Sequence, residues 1–151
     1  MSSQVVSLLL QYEETLAKLY AGCGDLFPEF KAFFDKLSAE EMDHAKAITD
    51  LITKVDGKTV FLDDNQYKVR PLEISLEYVH DVNRRIDAGE LSILSALSSA
   101  YHIEVSVIES DYYKIFKGDS AYLNSYLSQL QEASKGHRDR ILRMLDNLKQ
   151  A

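Results

Sequence analysis

Residues 34–48 read FDKLSAEEMDHAKAI. Wound at 3.6 residues per turn, this stretch puts Phe34, Leu37, Ala45 and Ile48 on one stripe, and Glu41 falls in the middle of it. His44, three residues on, shares that face. Glu40 instead falls beside Lys36 and Asp43 and reads as solvated. An isolated carboxylate in an apolar interior costs several kcal/mol unless it is paired or neutralised. A helix that aims both an acid and an imidazole at its own core needs a compensating partner there.

The same pattern recurs three times. Glu13 has Leu9, Leu10, Leu16, Ala17 and Tyr20 as its helical neighbours, whereas Glu14 sits beside Gln11 and Lys18. Glu104 is surrounded by Leu97, Ala100, Tyr101, Val107 and Ile108. His137 has Leu130, Ile141 and Met144 on its face. Three carboxylates converging in one interior repel each other, and Lys and Arg fall mostly off these stripes. A pair of divalent cations held by oxygen and imidazole donors is the economical solution. His80 and His102 read as surface residues, and Cys23 as a spare thiol in a glycine-flanked turn.

Working outward, the periodicity predicts a first helix from about Ser3 to Ala21, broken by Gly22 and Gly24. A second runs from Pro28 through Thr53. Residues 55–71 carry Gly57, the β-prone Thr59-Val60-Phe61, Asp63-Asp64-Asn65 and Pro71, and read as a long connection with a short extended piece. A shorter amphipathic helix covers Leu72 to Ile86, and a long one follows Asp87-Ala88-Gly89 to about Lys117. Asp119 suits the N-cap of a last helix reaching Leu148. The expected architecture is all-α: a four-helix bundle with one long crossover between the second and third long helices, plus a short extra helix.

Composition narrows the function. The chain has 151 residues, 46% of them hydrophobic and 27% charged, which fits one globular domain over residues 1–151. Only six glycines and two prolines argue against an all-β fold. The net charge of −7, with no dense Lys/Arg cluster, argues against nucleic-acid partners and against an anionic membrane surface. The Val5–Leu10 apolar patch is too short for a signal core or a membrane span, so a cytoplasmic location is expected. One cysteine allows neither a disulfide framework nor a CxxC metal knuckle.

Glu41-Met42-Asp43-His44-Ala45 resembles the ExxH motif of the ferritin-like di-iron carboxylate proteins. Glu13 with Ala17 and Tyr20 resembles the first helix of their rubrerythrin-type branch. Ala100 to Glu104, with Tyr112 two turns later, resembles the third helix, and Gln131 to Ile141 the fourth. The resemblance implies a metal site at Glu13, Glu41, His44, Glu104 and His137, with Tyr20 and Tyr112 near it. Glu13 and Glu104 would be terminal ligands, and Glu41 a bridge. It departs at one position. The fourth helix of the family carries a second ExxH, and here Ser134 stands where its Glu would be. Glu132 lies five residues from His137 and points elsewhere.

Three carboxylates against two divalent ions leave the pair net positive. The expectation is therefore a firm metal position at Glu13, Glu41 and His44. A weaker one is expected at Glu104 and His137 with Glu41 shared, and Ser134 leaving room for water or a small anion. By resemblance the metal is iron, with manganese or zinc compatible with the same donors. The chemistry implied is Fe(II) oxidation by peroxide or dioxygen. Rubrerythrins often carry a rubredoxin-like domain with paired CxxC motifs; with one cysteine this chain has none, so an enzyme would use a separate electron donor. A homodimer is the expected assembly. The alternative is a non-catalytic ferritin-like module with a degenerate site, acting through self-association or a protein partner.

Overall fold

The structure, a computed structural model, describes residues 4–56, 59–63, 68–118 and 120–150. Five α-helices dominate it: α1 (Gln4–Leu26), α2 (Lys31–Thr53), α3 (Val69–Asp87), α4 (Ile93–Ser110) and α5 (Ala121–Gln150). α1 packs on α2 and α4 on α5, the two pairs facing each other across the site residues, while α3 lies against α1. The expected all-α bundle with a long crossover after its second helix is what the chain forms. Ser3, Gly57, Asp64, Asn65 and Asp119, all part of the sequence reading, lie outside the described residues.

Several boundaries differ from the sequence reading, each for a physical reason. Gly22 and Gly24 do not break α1, which continues to Leu26. A Cβ on Gly22 would stand 3.2 Å from Ile86 Cγ2 of α3, and one on Gly24 would stand 3.0 Å from Asp35 of α2. These glycines permit close helix approach, and the neighbours' packing holds the helix against their low propensity. Cys23 is consequently a buried helical thiol rather than a turn residue, and burial pushes its pKa up to about 12. Pro28 opens a short 3-10 turn, Pro28–Phe30, ahead of α2.

The extra helix α3 is not short. It spans 19 residues against 18 for α4, and Leu72, Leu76, Val79, Val82 and Ile86 form its buried stripe. Asn83 ties it to α1 by donating to the Thr15 carbonyl at 3.2 Å.

α4 ends at Ser110, not near Lys117. Asp111 adopts a left-handed conformation (φ 50°, ψ 49°), its N–H closing on the Val107 carbonyl. A 3-10 turn, Tyr112–Ile115, and a two-residue strand β2 (Phe116–Lys117) follow. β2 pairs antiparallel with β1 (Phe61–Leu62), the short extended piece of the crossover, in the register Phe61↔Lys117 and Leu62↔Phe116. The crossover is thus clipped to the segment that follows α4. In the first turn of α5, the Ser120 hydroxyl accepts from the Leu123 N–H at 3.4 Å.

Candidate metal centre

The helical wheels placed five charged side chains inside, and all five are inside. Glu13, Glu41, Glu104 and His137 are each 1% exposed and His44 is 6% exposed, while the neighbouring Glu14 faces solvent. His80 and His102 are exposed, as expected. α1 supplies Glu13, α2 supplies Glu41 and His44, α4 supplies Glu104, and α5 supplies His137. Ser38 helps fix the first pair, donating to the Ala17 carbonyl at 2.7 Å across α1 and α2.

Glu41 is the centre of the arrangement. Its Oε1 lies 2.7 Å from His137 Nδ1 and its Oε2 lies 3.3 Å from His44 Nδ1. A second carboxylate flanks each imidazole. Glu13 Oε2 is 3.7 Å from His44 Nδ1, and Glu104 Oε1 is 3.4 Å from His137 Nδ1. The two rings are nearly parallel, with centroids 5.2 Å apart. Glu41, His44 and His137 form the tightest group, with one donor atom from each lying within 4.8 Å of the others.

Two tyrosines orient the outer acids, each reaching across from the opposite helix pair. Tyr20 of α1 donates to Glu104 at 2.6 Å. Tyr113 donates to Glu13 at 2.5 Å. Sequence counting pointed to Tyr112, because it assumed that α4 ran on through that position. The left-handed Asp111 ends the helix and brings Tyr113, one position past the expected Tyr112, into the site, while Tyr112 is buried elsewhere in the core. The Tyr113 hydroxyl is also within hydrogen-bond reach of the buried Ser134. Burial, and then the nearby carboxylate charges, push both tyrosine pKa values well up, so both remain donors.

The charge distribution is uneven. Burial pushes Glu41 well above the usual carboxylate range, and the charges of Glu13 and Glu104 add to this. Burial acts on Glu13 in the same direction, but the close approach of Glu41 and His44 and the hydrogen bond from Tyr113 outweigh it and hold its pKa down. Burial alone would lower both imidazoles. The adjacent carboxylates of Glu13 and Glu41 instead raise His44 to about 11, and those of Glu104 and Glu41 raise His137 to about 9. Protons on the two histidines therefore balance the acids when no metal does.

The donor set fits a divalent cation. Glu41 Oε2 and His44 Nδ1 are buried with no hydrogen-bond partner, although they lie close to each other. An unsatisfied buried polar atom is costly, and a shared cation between two such atoms would satisfy both. Carboxylate oxygen and imidazole nitrogen together suit iron, manganese or zinc.

One residue escaped the sequence reading altogether. Glu40, read as solvated, is half-buried and ion-paired to Arg140 of α5 at 2.8 Å. Nothing in the local pattern of α2 reveals a partner a hundred residues away.

Fold and site together define a helical bundle with a carboxylate–imidazole centre buried between two helix pairs. The ferritin-like domain family matches residues 7–150, and the chain belongs to that family. No curated protein and no solved structure gives a match. Among the described residues, no helix is long and apolar enough to cross a membrane.

Proposed function

We propose that this chain is a rubrerythrin-like, non-haem iron protein that reduces peroxide or dioxygen while Fe(II) is oxidised. The observation that carries this reading is the Glu41 carboxylate set between the Nδ1 atoms of His44 and His137, each flanked by a further acid. Iron bound there supplies one electron per ion, so two ions match the two-electron reduction of an O–O bond. Glu13, Glu41 and His44 form the firm position; Glu104 and His137, sharing Glu41, form the weaker one because Ser134 brings no charge. Tyr20 and Tyr113 hold the outer acids in place and keep their own protons. Binding a cation displaces the protons of His44 and His137, which makes affinity rise with pH.

Residues 1–151 act as one domain in the cytoplasm, and electrons come from a separate donor. The assembly is a homodimer; the exposed Ile74 and Tyr78 of α3, with Leu94 of α4 on the groove that Tyr78 also lines, give such a contact apolar material. A second reading has its own support. The 2.7 Å contact between His137 and Glu41 balances charge without any metal, which suits a non-catalytic module acting through self-association or a protein partner.

Metal analysis of chain purified without chelator separates the two readings. The iron reading predicts between one and two ions per chain and peroxide-dependent bleaching or colouring of the Fe(II) form. A fully folded chain that retains no metal, even after anaerobic incubation with Fe(II), contradicts it and favours the module.

A further inference from the structure

His137 has two ring nitrogens with different surroundings. Nδ1 faces Glu41 and Glu104 inside the bundle. Nε2 is buried and has no hydrogen-bond partner. The carboxylate facing it is Glu40, whose Oε1 lies 3.8 Å away, too far for a hydrogen bond. Glu40 is nonetheless aimed and held. Arg140 donates one amino group to both of its oxygens, at 3.0 and 2.8 Å. Arg140 is one turn from His137 on α5, and Glu40 is next to Glu41 on α2. The two helices therefore meet twice, inside through Glu41 and His137 and outside through Glu40 and Arg140.

We propose that Glu40, fixed by Arg140, is a positioning residue for His137: it takes the Nε2–H when Nδ1 turns its lone pair to a metal. The inference rests on the metal-binding reading above. A neutral imidazole carries one N–H, and whichever nitrogen finds an acceptor keeps it. With Nδ1 committed to a cation, the proton must sit on Nε2, where burial makes an unsatisfied donor costly. A shift of roughly 1 Å by the Glu40 carboxylate brings it within hydrogen-bond range. The bond then fixes the ring plane and raises the basicity of Nδ1 as a ligand. The half of the site that has Ser134 in place of an inner acid thus receives an outer one from α2, acting through its histidine.

Zn(II), which is diamagnetic and redox-inert, is the probe. Its affinity is measured by chelator competition for the wild-type chain, Glu40→Ala, Glu40→Gln and Arg140→Ala, alongside thermal unfolding of the metal-free forms. Ring-nitrogen NMR of the wild-type zinc form reports the tautomer of His137. The expected result is a loss of about 10- to 100-fold in zinc affinity for Glu40→Ala. Glu40→Gln, which keeps an acceptor oxygen, loses less. Arg140→Ala loses less than Glu40→Ala, while the two alanine variants unfold at similar temperatures without metal, since each breaks the same ion pair. In the wild-type spectrum, Nε2 carries the proton and Nδ1 is shifted by zinc. Unchanged affinity in Glu40→Ala, equal losses in it and Arg140→Ala, or a proton on Nδ1 overturns the inference while leaving the metal reading intact. A wild-type chain that binds no zinc sinks the metal reading itself and this inference with it.

Discussion

The two halves of the bundle interior are built on one plan and differ at one residue. In the first half, Glu13 of α1 and Glu41 of α2 flank His44, and Tyr113 reaches in from beyond α4 to hold Glu13. In the second, Glu104 of α4 flanks His137 of α5, and Tyr20 reaches across from α1 to hold Glu104. Glu41 faces both histidines. Only the acid three residues before His137 is missing, and Ser134 occupies its place. Both halves present an imidazole Nδ1, but only the first has two acids of its own. On the proposed metal-binding reading, the difference makes the affinity of each half follow its local count of negative charge.

Removing the shared element should erase the comparison. Glu41→Ala leaves both imidazoles without their central carboxylate, so metal content is expected to fall to near zero. Breaking a buried pair by deleting one partner costs about 3–5 kcal/mol, which denaturant unfolding of the metal-free variant would read. Retention of metal by this variant would mean that the two halves bind independently of Glu41.

Adding the missing acid should sharpen the symmetry. Ser134→Glu is expected to raise the metal bound per chain, read by elemental analysis after anaerobic loading. It must also displace the Tyr113 hydroxyl, so the metal-free variant should be less stable by about 1–3 kcal/mol, the usual cost of overpacking. No gain in metal would show that His137 does not belong to a second position. In the same assay, His44→Ala should lose more metal than His137→Ala; the reverse order would put the stronger position in the second half.

The tyrosines test the cross-bracing. Tyr20→Phe and Tyr113→Phe each delete a hydrogen bond to a carboxylate, an interaction worth about 1.5–3 kcal/mol. Denaturant unfolding should show similar losses for the two. A loss confined to Tyr113→Phe would make its contact with Ser134, which Tyr20 does not share, the important one.

The pH dependence of the metal-free chain tests the same comparison. In the metal-free chain, His44 and His137 have pKa values raised from 6.5 to about 11 and about 9. A raised histidine pKa gives stability that is complete below about pH 6.5 and lost as pH rises through the folded value. The melting temperature of chelator-treated chain should therefore decline as pH approaches about 9, the His137 value, and further toward about 11. Metal-loaded chain should be less sensitive over that window. A flat metal-free profile would mean that the histidines are not the counter-ions of the buried acids.

The part of this centre that could be read from the chain is the part encoded locally. Each of Glu13, Glu41, Glu104 and His137 sits among apolar neighbours at helical spacing, so one helix suffices to predict its burial. The bundle follows from the same periodicity. Tyr113 was out of reach because a single left-handed residue, Asp111, resets the phase of every position after it. Glu40 was out of reach because its meaning lies in Arg140 and His137 on another helix. Gly22 and Gly24 looked like breakers because their reason for being small is a neighbour, α3 or α2, that the local sequence does not contain.

The central claim is that Glu41 shares a cation with the imidazoles on either side of it. An anomalous-difference map at the iron edge, from crystals grown with Fe(II) under anaerobic conditions, tests it directly. The account predicts its strongest peak within bonding distance of Glu41 and His44 Nδ1, with any weaker peak near His137 and Glu104. A map with no peak there, and with Glu41 still hydrogen-bonded to His137, would contradict it.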